Sequence, residues 1–298
     1  MDQDVFNTDR PLLFSIAYRM LGSASEAEDV LQDGWLRYRR AERSAIRSPK
    51  AFATTIVTRL CLDRLKSVRA KREEYVGPWL PEPVLTSEVE DPDAMLQRAE
   101  SVTFAFLVLL ETLSPEERAV FVLKDVFEYD HGEIAEILGT TVENSRQLLH
   151  RAKERLAEGR PRLTGTTQSR RAVAERFARA FASGDGSELA ALLAKDVGMW
   201  SDGGGKASAA RRPLAGRDRV LELLVGLHRT AWTAGLTRDA SLRIEDVNSE
   251  PALVVRVGQR LESVFVLSIS DGAISGIRVV RNPDKLVHID QQLTLLSH

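Results

Sequence analysis

Four basic residues, Arg59, Lys66, Arg69 and Arg72, recur along one side of a helical stretch, while Val57, Cys61, Leu65 and Val68 fall four, four and three apart along another. Arg64 and Lys71 add positive charge, and Asp63 is the sole acid between Arg59 and Arg72. A helix that packs with one side and leaves the other cationic suits a polyphosphate chain. Each Lys or Arg that meets a phosphate steepens the salt dependence of binding. A solvated basic helix face is the competing reading, and this helix alone does not separate the two.

A second constellation lies at Glu143, Asn144, Arg146, Gln147, Arg151 and Lys153. Arg, Asn and Gln are the side chains that pair bidentately with base edges in a major groove. The elements that must position them are legible. Ser114-Pro115-Glu116-Glu117 offers an N-cap, a proline for the first turn and a glutamate to close the box; Asp130 with Glu133, and Thr140 with Glu143, repeat the arrangement. Leu138-Gly139-Thr140 separates two helical patterns and outlines a helix-turn-helix. Ile134, Ile137 and Leu138 are expected to pack the first of these helices, and Val142, Leu149 and Leu156 the second. The alternative is an ordinary helical hairpin.

The whole chain carries no attraction for polyanions, since its 298 residues have a net charge of −2, so any nucleic-acid binding must come from such local surfaces. Hydrophobic and charged shares of 43% and 28% belong to folded globular protein. The apolar run Phe104 to Leu110 is closed by Glu111, well short of the roughly 20 residues of a membrane span. Met1 to Asp9 lacks the basic start and apolar stretch of a secretory signal, so a cytoplasmic location is expected. Cys61 is the only cysteine and the five histidines are scattered, which argues against an internal disulfide or a structural zinc.

Three segments are expected. From Pro11 to Glu74 apolar residues at Leu12, Ile16 and Met20, then Val30, Leu31 and Trp35, mark two helices divided by Gly22, the second capped by Ser25 and Glu28. A third helix begins near Ser48-Pro49 and reaches about Glu74. Gly77-Pro78-Trp79-Leu80-Pro81-Glu82-Pro83 cannot be helix and forms a stiff connector, followed by Glu88, Glu90, Asp91 and Asp93. Helical pattern returns from about Ala94 to Arg162. After a joint at Gly165 to Ser169 come a helix from Arg171 to Ala182, another over Val220 to Leu227, and strands at Ala252 to Val257, Ser263 to Ile269 and Ile274 to Val280. Asp271-Gly272 between the last two signals a hairpin, so this third segment is α+β.

Specific runs carry a resemblance. Phe14 to Gly22 and Ala27 to Arg37 resemble region 2 of extracytoplasmic-function RNA polymerase sigma factors; Leu113 to Arg118, Glu133 to Gly139 and Leu149 to Leu156 resemble their region 4. The remainder is similar to a subgroup, the mycobacterial sigma factor J type, in which a SnoaL-like domain follows region 4. Its marks are Trp79 to Pro83, Asp202 to Lys206 and Asn282 to Leu286. The resemblance implies two all-α sigma domains, a region 2 helical bundle at 1–74 and a region 4 helix-turn-helix at 96–163, joined by a linker at 75–95. A cone-shaped α+β SnoaL-like domain at 168–290 and a tail at 291–298 complete it.

The resemblance also assigns roles. Asp29, Gln32, Asp33 and Leu36, which share one side of a helix, would dock on the clamp helices of the polymerase largest subunit. Arg59, Lys66, Arg69 and Arg72 would engage the −10 element, with the loop from Ser44 to Ser48 near a flipped base. Glu143, Asn144, Arg146, Gln147, Arg151 and Lys153 would read the −35 element. Arg59 stands where many relatives carry Asn, which leaves the −10 base preference open. Trp79, Pro81, Asp202, Lys206, Asn282, Asp284 and Lys285 would form interdomain regulatory contacts, so that no separate anti-sigma factor is required. The expected partners are core RNA polymerase and promoter DNA, with no membrane and no cofactor; the third domain is open to an unidentified small ligand.

Some SnoaL-like relatives are enzymes, and Asp202, His228, Asp239 and Asp246 are conceivable bases. Their structural roles are the stronger expectation: Asp202 opens a glycine turn, Asp239 and Asp246 flank strands, and His228 ends a helix. Asp202 to Lys206 lacks P-loop spacing. Regulation rather than catalysis is therefore expected of this domain. The competing readings are a repressor or activator that works without polymerase, and a SnoaL-type enzyme with helical appendages.

Overall fold

The computed structural model describes residues 5–41, 46, 48–86, 102–157, 164–233 and 239–296, except that the side chains of 5, 68–73, 232 and 233 are not described. It divides into two compact units, Met1–Glu74 with Phe106–Arg160, and Tyr75–Ala105 with Pro161–His298.

The first unit is helical. A short α1 (Val5–Thr8) precedes α2 (Arg10–Leu21), α3 (Ala24–Arg40) and the long α4 (Pro49–Glu73). Gly22 takes a left-handed conformation, φ 68°, and turns the chain between α2 and α3. The cap of α3 lies two residues before the expected one: Ser23, not Ser25, accepts the Glu26 amide, and Glu28 instead pairs with Arg10. Leu13, Ile16 and Met20 of α2, Val30 and Leu31 of α3, and Val57 and Cys61 of α4 are buried as a three-helix core. Burial, with Glu26 nearby, pushes the Cys61 thiol up and away from the reactive thiolate.

The same unit continues through α5 (Phe104–Leu110), whose first two residues are counted with the second unit, then α6 (Pro115–Phe121), one π-helical turn (Val122–Val126), α7 (His131–Leu138) and α8 (Val142–Leu156). Both expected capping boxes close, Ser114 with Glu117 and Asp130 with Glu133. The third does not. The cap of α8 is Thr141, whose Oγ1 accepts the Asn144 amide, while Thr140 Oγ1 accepts the Asn144 side chain at 2.7 Å. The packing stripe of α8 also differs from expectation. Ser145, Leu148, Ala152 and Leu156, spaced three, four and four, are buried, whereas Val142 is exposed and Leu149 half-buried, so of the three expected residues only Leu156 lies on the inward stripe.

The second unit holds α9 (Thr167–Ser183), α10 (Gly186–Leu192), β1 (Leu193–Asp202), β2 (Leu214–Ala215), α11 (Arg217–Thr233), β3 (Ala240–Val247), β4 (Glu250–Val257), β5 (Arg260–Ser270), β6 (Ala273–Val280) and α12 (Pro283–Leu295). Among the described residues the strands form one mixed sheet in the order β2-β1-β6-β5-β4-β3, with β1 parallel to β6 and every other pair antiparallel. The hairpin β5-β6 turns at Asp271-Gly272, both at positive φ, 52° and 75°, as a primed turn requires. Asn248-Ser249 performs the same turn between β3 and β4. Helices α9, α10 and α11 cover one face of the sheet through Phe177, Leu189, Leu192 and Leu224, set against Val197, Leu253, Leu267 and Ile277. His228 stands inside α11 rather than at its end, since the helix runs on past it. Helix α12 begins on the Asn282 cap with Pro283 in its first turn and reaches into the segment expected as a tail.

Candidate polymerase, promoter and connector sites

Along α3, Asp29, Gln32, Asp33 and Leu36 are all exposed, whereas Val30, Leu31 and Gly34 between them are buried. The helix therefore shows solvent a stripe of two acids, an amide and a leucine. Leu36 is 42% exposed, an apolar side chain left partly open to solvent. Asp29 lies 3.6 Å from Arg64 of α4.

The face of α4 opposite the core carries Arg59 and Lys66, both exposed. Arg69 and Arg72 fall within α4, but their side chains, like much of the loop from Ser44 to Ser48, lie outside the described residues. Arg59 reaches across the unit: its Nε donates to the Ile137 carbonyl at 2.9 Å and its guanidinium to the Glu136 carbonyl at 3.2 Å. Those oxygens end α7, where the helix leaves carbonyls unpaired and carries partial negative charge. Lys66 pairs with Glu116 of α6 at 2.9 Å. Despite its partial burial, that lysine holds the Glu116 carboxyl below the usual range. Two residues expected at the −10 element are thus engaged by the helices around the helix-turn-helix.

Gly139 completes the turn at φ 64°, and its own amide bonds the end of α7. Helix α8 then divides its polar residues. Glu143, Arg146 and Gln147 are exposed on its first half, with Arg146 3.8 Å from Glu143, and Asn144 is drawn onto Thr140. Arg151 and Lys153 bend back instead, Arg151 to Glu117 at 3.4 Å and Lys153 to Asp125 at 2.7 Å. Arg155, which the sequence reading passed over, also bonds Glu117, at 2.9 Å. Glu117 is buried and serves both the capping box and these two guanidiniums.

The connector is a site in its own right. Leu80, Pro81, Glu82, Pro83 and Val84 are all buried in the second unit. Two of these five residues are prolines without a donor, so few backbone N–H groups need partners. The Leu80 amide donates to Asp202 Oδ2 at 2.8 Å, the Val84 amide to Asn248 Oδ1 at 3.1 Å and the Leu85 amide to Gln292 Oε1 at 2.9 Å. Leu85 also bridges to Val247, so the connector adds a short antiparallel step beside β3.

Asp202 is the hub. It is fully buried at the end of β1, accepts the Tyr75 hydroxyl at 2.6 Å and pairs with Lys285 Nζ at 2.7 Å. Lys285 also donates to the Leu80 carbonyl at 2.5 Å and sits over the rings of Tyr75 and Trp79, 4.8 and 4.2 Å from their centroids. Burial, and then the hydrogen bond to Asp202, push the Tyr75 phenol up. Asn282 Nδ2 donates to the Tyr75 hydroxyl at 2.9 Å while its Oδ1 caps α12. Of the expected regulatory residues, Trp79, Asp202, Asn282 and Lys285 converge here, with Pro81 buried alongside. Lys206 and Asp284 pair with each other at 2.5 Å, both largely exposed. Tyr75 and Gln292 were missed: a lone tyrosine beside a connector and a glutamine on a helix give no local signal. Asp202 is occupied on both oxygens, Asp246 pairs with Arg171 at 3.5 Å, and Asp239 is exposed; this is no constellation of bases.

Among the described residues no group of three His, Cys, Asp or Glu could hold a metal, and no helix is long and apolar enough to cross a membrane.

Comparison with known proteins agrees with this architecture. Residues 5–71 match the Sigma-70 region 2 family and residues 103–156 the Sigma-70 region 4 family. The chain belongs to the extracytoplasmic-function group of sigma-70 factors, which act in transcription initiation and are not enzymes. It is 34% identical to the ECF RNA polymerase sigma factor SigJ of Mycobacterium tuberculosis, over 96% of this chain and 93% of that protein. It is 31% identical to the probable ECF RNA polymerase sigma factor SigI of the same species, over 93% and 92%. The crystal structure of M. tuberculosis SigJ superposes with a TM-score of 0.74, covering 95% of this chain and 98% of that one.

Proposed function

We propose that this sigma factor directs promoter-specific initiation by reading a −35 element with α8 and a −10 element with α4, and that its C-terminal α+β domain modulates that activity. Helix α8 is the observation that carries the promoter reading. Its buried stripe fixes its rotation, so that Glu143, Arg146 and Gln147 stand outward at the end that reaches base edges in helix-turn-helix proteins. The stripe Asp29, Gln32, Asp33 and Leu36 would meet the polymerase clamp helices, since it offers acids around an uncovered apolar side chain. Unstacking a −10 base costs only a few kcal/mol, which contacts to the extruded base can offset without nucleotide hydrolysis.

Modulation is supported by the connector. Residues between regions 2 and 4 are held by Asp202, Asn248, Lys285 and Gln292 of the C-terminal domain, so that domain is built to set the freedom of the segment on which both DNA-reading regions depend. In this reading no separate anti-sigma protein is required, and the factor works in the cytoplasm with core polymerase. The test is transcription with purified core polymerase on a library of upstream DNA. Promoter-dependent initiation is expected, with altered output for Asp202→Ala; a chain that forms no complex with core enzyme sinks the proposal.

A further inference from the structure

The sheet face covered by α9, α10 and α11 is filled over only part of its width. Where Val197, Leu253, Leu267 and Ile277 lie, helices close over it as core. Farther along the same strands, Met199, Leu242, Val255, Val257, Phe265 and Val279 line a cavity of about 690 Å³, roofed by Leu223, Leu227 and His228 of α11. A volume of that size is within the range of about 300–1,000 Å³ typical of small-molecule sites. Leu223, Leu227, Leu242, Val255 and Val257 are only half-buried, so these apolar side chains expose surface into one concavity instead of being scattered over the domain.

The polar groups of the wall define what would enter. Arg281 is already paired with Glu262 at 2.7 Å and donates to the Ser208 carbonyl at 2.6 Å, while Glu262 also pairs with Arg260. The two charged side chains of the wall, Arg281 and Glu262, therefore pair with each other, while Arg260, the second cation on Glu262, stands 78% exposed outside the lining. Ser201 and Ser263 bring hydroxyls to the wall from β1 and β5. An anion would have to displace Glu262 from Arg281, and a cation would have to displace Arg281 from Glu262; each exchange leaves a partly buried charge without its partner.

We propose that this cavity is a binding site for a neutral, mainly apolar small molecule of drug size that carries a hydroxyl or carbonyl oxygen. The site is built within residues 181–281 and stands independently of how regions 2 and 4 read a promoter.

The test uses the full chain and the neutral fluorophore N-phenyl-1-naphthylamine, with its anionic relative 8-anilinonaphthalene-1-sulfonate as the comparison. A saturable, blue-shifted rise in emission is expected, at least fivefold tighter for the neutral probe. Val257→Trp fills the cavity and Leu242→Glu places a charge in it, so each should weaken the neutral probe at least tenfold. Val287→Glu, on the exposed side of α12, should leave it unchanged. Hydrogen exchange on the unmutated chain reads the site without reliance on any variant's folding: the neutral probe should slow exchange in 240–247, 250–257 and 217–231 and leave 115–156 unaltered. Equal affinity for the anionic probe, wild-type binding by both folded cavity variants, or protection that spares the sheet overturns the proposal.

Discussion

The guanidinium of Arg59 donates to the carbonyl of Ile137, joining the helix expected at the −10 element to the last turn before the helix-turn-helix glycine. A charged donor against helix C-terminal carbonyls is a favourable pairing, though at an exposed arginine solvent screening limits its strength. Arg59→Ala should therefore cost little stability, on the order of 1 kcal/mol. It should nevertheless speed hydrogen exchange at Thr140, whose amide bonds the Ala135 carbonyl as α7 ends. Unchanged exchange there rules out a role for Arg59 in holding the two helices.

Removing Asp202 should be far more damaging. Asp202→Ala strands Lys285, which is 9% exposed, along with the Leu80 amide and the Tyr75 hydroxyl. Breaking a buried ion pair from one side costs about 3–5 kcal/mol. Denaturant unfolding of the C-terminal unit should report that loss, and limited proteolysis should cut the chain between Tyr75 and Thr86. Lys285→Met should be milder, because Asp202 keeps two donors.

Two glycines at left-handed φ separate conformational strain from steric clash. At Gly139 a Cβ would find only Arg59, 3.9 Å away, so Gly139→Ala should cost only the backbone penalty of about 1–2 kcal/mol. At Gly204 a Cβ would fall 2.2 Å from Asn282 Nδ2 and 2.9 Å from the Tyr75 hydroxyl. Gly204→Ala must push that network apart, and its melting temperature should fall further than that of Gly139→Ala.

Acid should act through Glu262. Burial disfavours its charge, but Arg260 and Arg281 outweigh that and hold its carboxyl below the ordinary 4.5. A carboxylate depressed by folding stabilises the native state fully above its unfolded value, and that contribution disappears as pH falls through the lower folded value. The stability of the C-terminal unit should thus drop as pH falls below the ordinary 4.5 in the wild type. Denaturation midpoints measured across that window should fall less steeply for Glu262→Gln.

At the proposed −35 contacts, Arg146→Ala and Gln147→Ala should each weaken use of a −35-bearing template by roughly 5- to 150-fold, the range of about 1–3 kcal/mol for one bidentate base contact. The stripe of Asp29, Gln32, Asp33 and Leu36 proposed to meet polymerase should behave oppositely. Asp33→Arg should reduce assembly with core enzyme, as seen by gel filtration, without altering the unfolding of the helical unit, since Asp33 is exposed.

What the residues disclosed in advance was local. Capping boxes, the left-handed glycines and the Asp271-Gly272 turn each depend on neighbours within four residues, and they locate α2, α6, α7 and the β5-β6 hairpin. The errors also arose locally, where two caps competed: Ser23 against Ser25, and Thr141 against Thr140, choices decided by the packing of the following helix. Strand β1 escaped notice because the charged pair Lys195-Asp196 breaks its alternation near the start and its partner β6 lies some eighty positions away in sequence. Edge strand β3 alternates Leu242 and Ile244 with Arg243 and Glu245, a pattern that was present but short. Asn282-Pro283-Asp284 resembles a family mark and is physically a helix start. Tyr75 and the cavity have no local signature at all, because both are made by residues that meet only in the folded domain.

The seating of Leu80 to Leu85 on Asp202, Asn248 and Gln292 also determines where this protein can be cut and recombined. The portable piece is discontinuous: a chimera that exchanges only the stretch after region 4 would part a strand-like arm from its acceptors and expose a buried leucine and valine. Grafting the C-terminal module onto another factor would have to carry residues 75–86 with it, spliced at two junctions, and a simple truncation would test a disrupted connector as much as a missing domain.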